Sequence, residues 1–64
     1  MRGTNWWMIL AAVNRMPGTQ QQDLARTLTM QKTAFGVQVD ELERSGWVER
    51  RVDSDDRRAR LLYP

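Results

Sequence analysis

The sequence predicts an α+β domain, three short helices followed by a two-stranded β-hairpin. Apolar residues recur at helical spacing up to Gly46, and the period changes to alternation after it. Pro17-Gly18 and Gly46 punctuate the pattern where helices must stop.

The first helix is expected from Asn5 to Met16. Trp6, Ile9, Leu10, Val13 and Met16 fall on one side of it, and Thr4 or Asn5 can cap its start. Pro17-Gly18 ends it. Thr19-Gln20-Gln21-Gln22 reads as a capping box, in which the Thr19 hydroxyl accepts from the Gln22 amide and the Gln22 side chain reaches back. A short second helix then buries Leu24, Ala25 and Leu28. The pattern breaks at Thr29-Met30 and resumes from about Gln31 to Ser45, with Phe35, Val39 and Leu42 inward and Gly46 as a left-handed C-cap. Trp47 to Val52 and Ala59 to Tyr63 read as two strands around the polar loop Asp53 to Arg58. The tight connection between the second and third helices is a helix-turn-helix feature. No repeat, low-complexity tract or linker divides the chain, so one domain is expected over residues 1–64.

Length and composition exclude several functions. A chain of 64 residues holds one small domain, which buries only about 60% of its unfolded surface and has little room for a catalytic cleft. Cysteine and histidine are absent, which removes thiol nucleophiles, the usual zinc ligands and the commonest general base. No pair of carboxylates lies in a plausible cleft, so no enzyme, metal or cofactor is expected. No apolar run reaches the roughly 20 residues that span a bilayer, and the start lacks a signal-peptide pattern, so a cytoplasmic protein without membrane contact is expected. Net charge is only +2, yet five of the ten basic residues (Arg50, Arg51, Arg57, Arg58 and Arg60) fall near the C-terminus among Asp53, Asp55 and Asp56. Taken alone, such a run reads as a solvated face.

On the third helix, Thr33, Val37, Asp40 and Arg44 point outward when Phe35 points inward, with Lys32, Ala34 and Gly36 along the margins. The N-terminal half of that face is small, polar and free of acid. It suits a surface pressed into a major groove, where Gln31, Lys32 or Thr33 reach phosphates or base edges. A plain amphipathic helix with a solvated face has the same composition. Asp40, Glu41 and Glu43 would be repelled by phosphates, and Asp40 with Arg44 makes an i,i+4 pair. At the hairpin tip, Asp56-Arg57-Arg58 offers guanidinium groups to a phosphate or a narrow minor groove. Trp6 and Trp7 lie about 100° apart on a helix. They read as a broad core face or, with one left outside, as an interaction surface.

The order of these pieces resembles the MarR family of bacterial transcriptional regulators along nearly the whole chain. The resemblance is carried by Trp7-Met8-Ile9-Leu10, Pro17-Gly18-Thr19-Gln20, Asp23-Leu24-Ala25, Val39 to Arg50, and Asp53-Ser54-Asp55-Asp56-Arg57-Arg58-Ala59. It implies a winged helix-turn-helix in which the helix from Gln31 is the recognition helix and the Asp53 to Arg58 loop is the wing. Gln31, Lys32, Thr33, Ala34, Gly36 and Val37 would face double-stranded DNA. Arg58 would enter the minor groove with Asp56 as its orienting partner, and Arg57 would contact the backbone. Thr19 and Gln20, before the second helix, would make the phosphate contact of its N-terminus.

Relatives act as homodimers on pseudo-palindromic sites, and many answer small phenolic or oxidant signals. Two positions depart from the pattern: Val37 stands where many relatives carry a basic residue, and Thr29 where many have glycine. The family's first helix and long C-terminal helices, which build the dimer interface and effector pocket, have no counterpart in these residues. A homodimer is therefore expected only in a full-length context, and an effector only where those helices are present. The expected function is a non-enzymatic, sequence-specific DNA-binding transcriptional regulator. The alternative is a winged-helix protein-interaction module with vestigial DNA binding.

Overall fold

The computed structural model describes residues 6–64, so the expected caps Thr4 and Asn5 lie outside the described residues. The order is α1 (Trp6–Arg15), β1 (Thr19–Gln20), α2 (Gln21–Thr27), α3 (Lys32–Arg44), β2 (Glu49–Val52) and β3 (Arg60–Tyr63). Three helices and a small antiparallel sheet share one core of Ile9, Ala12, Val13, Leu24, Ala25, Phe35, Val39, Leu42, Val48 and Leu62. Phe35 is fully buried among them, and removing such a ring costs about 3 to 5 kcal/mol, a large part of what a small domain holds. Among the described residues no helix is long and apolar enough to cross a membrane.

The expected inward residues of the first helix divide. Ile9 and Val13 are buried, while Trp6 and Leu10 are half-buried against the core. Met16 is exposed, because the helix ends at Arg15 and the chain turns there. Gly18 makes that turn with φ +85°, and a Cβ at this position would stand 3.1 Å from the Tyr63 hydroxyl oxygen. Both the backbone angle and the approach of the ring call for glycine.

The expected hairpin is present, with Glu49 opposite Tyr63, Arg50 opposite Leu62, Arg51 opposite Leu61 and Val52 opposite Arg60. A third strand joins it. Thr19 and Gln20 pair with Leu62 and Leu61 to give the order β1-β3-β2. The capping box is corrected by the same feature. Thr19 is held in the sheet, and its hydroxyl donates back to the Met16 carbonyl at 2.8 Å. Gln20 is the N-cap of α2, with no side-chain cap bond.

Two helices end in the same way. At the close of α3 the Gly46 amide bonds the Glu43 carbonyl and the Trp47 amide bonds that of Leu42, with Gly46 at φ +81°. At the close of α2 the Thr29 amide bonds the Arg26 carbonyl and the Met30 amide bonds that of Ala25, with Thr29 at φ +57°. Both are Schellman endings, which place a left-handed residue just past the helix. Glycine fits that position; a β-branched threonine is strained there.

Thr29→Asn should therefore stabilise the domain by about 1 kcal/mol, since asparagine tolerates the left-handed region. For a domain of this size that raises Tm by about 4 to 8 °C. Gly46→Ala should do the reverse, at a cost of about 1 to 2 kcal/mol from the backbone alone, because nothing lies within 4 Å of its new Cβ. Thermal unfolding followed by circular dichroism checks both. Equal Tm values for Thr29→Asn and the parent would show that the turn carries no strain.

Candidate nucleic-acid interface

The burial of Phe35, Val39 and Leu42 fixes which way α3 faces. Gln31, Lys32, Thr33, Ala34 and Val37 are all exposed, and Gly36 is half-buried. Val37 stands 55% exposed at the centre of this surface, an unusual place for a bare aliphatic side chain. Gln31 is the N-cap but makes no side-chain cap bond, so the first-turn amides of α3 are left to solvent or a ligand. The first acid along α3 is Asp40.

The acids of the second half are not spent as expected. Asp40 pairs with Arg50 of β2 rather than with Arg44, and Glu43 lies 3.6 Å from the same guanidinium. The i,i+4 expectation failed because it considered only neighbours on the helix itself. Strand alternation from buried Val48 sends Arg50 to the same helix-facing side, where both carboxylates wait.

The wing is organised by two aspartates. Asp53 accepts the Asp55 amide at 2.9 Å on Oδ1 and the Gln20 side-chain amide at 3.0 Å on Oδ2. Asp56 accepts the Arg58 amide at 3.0 Å, and the Arg58 Nε stands 3.8 Å from the same oxygen. The Asp56 carbonyl accepts the Ala59 amide at 2.9 Å, and the Ala59 carbonyl accepts the Asp53 amide at 3.2 Å. Asp56 thus shapes the tip mainly through the backbone and holds the Arg58 side chain loosely. That side chain is 95% exposed. Arg57 is exposed beside it, and its carbonyl is tied to the Arg60 guanidinium at 2.9 Å.

Thr19 and Gln20 form β1, just before α2. Both are half-buried, and their side chains are engaged within the protein. Gln20 also accepts from the Gln22 amide nitrogen at 2.9 Å, so it links the start of α2 to the wing. Its role as a wing anchor left no mark in the sequence, because the two residues of β1 show no alternation.

Between α2, the start of α3 and the wing runs a cleft of about 200 Å³. Lys32, Arg50, Arg58 and Arg60 line it together with Gln21 and Gln22, and no carboxylate does. On the other side of the sheet Arg51 pairs with Glu49 at 2.8 Å and stacks over Tyr63 at 4.1 Å. The Glu49 carboxyl is held below its ordinary value, first by the hydrogen bond from Arg51 and then by its charge. That contact is complete above the ordinary carboxylate range and is lost as pH falls through the lowered value.

The sequence model of the MarR family matches residues 2–59. Among solved structures the chain is similar to a crystal structure of MarR, with 30% identity and a TM-score of 0.90. The match covers 94% of this chain and 41% of that one, so the 64 residues span less than half of that protein's length. No curated protein matches.

Gln20→Ala should loosen the wing without disturbing the helices. The lost hydrogen bond is worth about 0.5 to 1.5 kcal/mol. Amide exchange at Asp55 and Ala59 should quicken while that of α1 and α3 stays unchanged. Unaltered exchange at those two amides would show that Asp53 holds the wing without Gln20.

Proposed function

The chain belongs to the MarR family, and we propose from that premise that it is a sequence-specific, double-stranded DNA-binding module of a transcriptional regulator. One observation carries the reading. The exposed, acid-free half of α3 and the exposed Arg58 of the wing flank a cleft lined by Lys32, Arg58 and Arg60, together with Arg50, which is paired with Asp40 and Glu43, and by no carboxylate. Two neighbouring grooves of a duplex, with the phosphates between them, have the complementary shape and charge.

In this reading α3 enters the major groove, with Gln31, Lys32, Thr33, Ala34, Gly36 and Val37 facing base edges and phosphates. The small side chains at 34 and 36 let the helix approach closely, and the uncapped first turn offers amides to a phosphate. Arg58 enters the adjacent minor groove with Asp56 as its orienting partner, and Arg57 contacts the backbone. Thr19 and Gln20 support the phosphate contact at the start of α2 through their backbone, since their side chains serve the sheet and the wing. Occupying both grooves would control transcription without chemistry, and the family is one of regulators rather than enzymes. Two copies on a pseudo-palindromic site would place their recognition helices about 34 Å apart.

Exposed Trp7 and Trp47 favour a second reading, a protein-interaction module with vestigial DNA binding. A salt titration of binding to random duplex separates the two. A DNA module loses affinity steeply as salt rises; an interaction module binds weakly at any salt.

The wing yields a prediction that turns on a sign. Arg58→Ala should weaken binding, most where the flanking sequence narrows the minor groove. It should flatten the salt slope by about 1 only where a phosphate contact is lost too. Asp56→Ala should also weaken binding, although it removes a negative charge. Tighter binding by Asp56→Ala would reject the orienting role.

Val37 cannot donate to guanine, but its methyl groups can pack on the C5-methyl of thymine. Replacing one thymine per half-site with uracil in a selected operator should cost under about 1 kcal/mol. The loss should vanish in Val37→Ala. If a uracil scan finds no methyl-sensitive position, Val37 reads no base.

A further inference from the structure

Among the described residues Arg50 is the least exposed of the arginines that form ion pairs, its side chain 22% exposed against 54% to 95% for Arg51, Arg26 and Arg58. It stands on β2 directly opposite buried Leu62. From there its guanidinium meets three acceptors on α3. One terminal nitrogen bonds the Asp40 carboxylate and lies 3.5 Å from the Gly36 carbonyl, while Nε lies 3.6 Å from Glu43. Apart from Glu43, that Nε has no partner, although it is buried.

Positions 36, 40 and 43 form one stripe along nearly two turns of α3, beside the buried stripe of Phe35, Val39 and Leu42. A contact at one point leaves two elements free to pivot. A guanidinium fork whose one terminal nitrogen bonds Asp40 and reaches the Gly36 carbonyl, and whose Nε side faces the Glu43 charge, ties the strand to the helix at more than one level of its axis and so resists sliding and rotation. The strand that carries it runs directly into the wing, whose first residue, Asp53, is tied separately to Gln20.

We propose that Arg50 is a positioning residue, which fixes the angle between the recognition helix and the wing and so sets where Arg58 lands on DNA. This rests on the DNA-binding reading for its consequence, but not for its geometry. It gives the acids of α3 a task. Asp40 and Glu43 lie on the element that enters the major groove, where bare carboxylates would repel phosphate. Here they form the socket for the arginine that aims the wing, and its single positive charge offsets one of their two negative charges.

The test has a free-protein arm and a DNA arm. Residual dipolar couplings report the orientation of the hairpin amides relative to those of α3. In Arg50→Gln the couplings within the three helices should still fit one alignment frame, while those of 49–63 should no longer fit it. Arg50→Lys keeps the charge and one contact but not the fork, so it should recover thermal stability without recovering the hairpin couplings. Asp40→Asn removes the carboxylate charge at an exposed position while keeping one acceptor oxygen and the fold, and it should shift the couplings in the same direction by less.

On a selected operator, Asp40→Asn should bind about tenfold more weakly, the loss of roughly one base pair's discrimination. Base preference should fall at the wing-contacted flank and hold under α3. A charge account predicts tighter binding for this variant, because a negative group leaves the interface. Hairpin couplings in Arg50→Gln that still fit the helix frame would overturn the proposal, whatever the DNA arm shows. Shifted couplings in a protein whose parent binds no duplex would leave Arg50 as the setter of wing angle and reject the DNA-binding reading instead.

Discussion

Burial of one stripe of α3 governs what that helix shows to solvent. Phe35, Val39 and Leu42 are fully enclosed by residues from α1, α2 and the sheet. Because side chains on a helix are related by fixed angles, placing these three inward dictates the facing of every other residue on α3. Val37, Thr33 and Lys32 are outward for that reason alone. The core therefore does more than stabilise the fold: it aims the surface. A shift in the rotation of α3 would turn Thr33 and Val37 away from the front and put another stripe of the helix in their place.

The aim would be lost without equal control over where the helices stop. In a helix-turn-helix unit the turn must reverse the chain within a few residues and still return Met30 to the core. The Schellman ending does this with two backbone hydrogen bonds and a left-handed residue. At Gly46 that conformation costs little. At Thr29 it is held against the preference of a β-branched side chain, by the same bonds and by the packing of Leu28 and Met30 on either side. The turn is thus over-determined by its surroundings, which is how strained backbone persists.

What could be read from the sequence depended on range. Helix stripes and strand alternation are periodic over many residues, so the three helices, the hairpin, the buried set of α3 and the Gly46 ending were all legible. The strand at Thr19-Gln20 was not. Two polar residues show no period, and a threonine three residues before a glutamine matches a capping box just as well. Only the presence of β3 alongside decides between the two. The partner of Asp40 was lost in the same way. Rules for i,i+4 pairs find Arg44 and are blind to Arg50, which approaches from another element. Alternation from Val48 would have turned Arg50 inward, and an inward arginine must find acids. In the wing, local rules reached Asp56 and Arg58, which are two residues apart, but not Gln20, which holds Asp53 from another element.

The charge distribution explains why the net charge was a poor guide. A total of +2 suggests near neutrality, yet screening limits the reach of a charge to about 8 to 10 Å in ordinary salt. What a ligand meets is the local sign. Asp23, Asp40, Glu43 and Glu49 each lie beside an arginine, and Asp53 is turned to Gln20 and its own turn. Pairing lowers the weight of these acids in the local balance, and the cleft beside the wing is lined by Lys32, Arg58 and Arg60, with Asp56 beside Arg58. The acidic residues are therefore not a dilution of a basic surface. Their placement leaves a small region with a local excess of positive charge on a chain that is nearly neutral, and a polyanion would be attracted to that region rather than to the molecule as a whole.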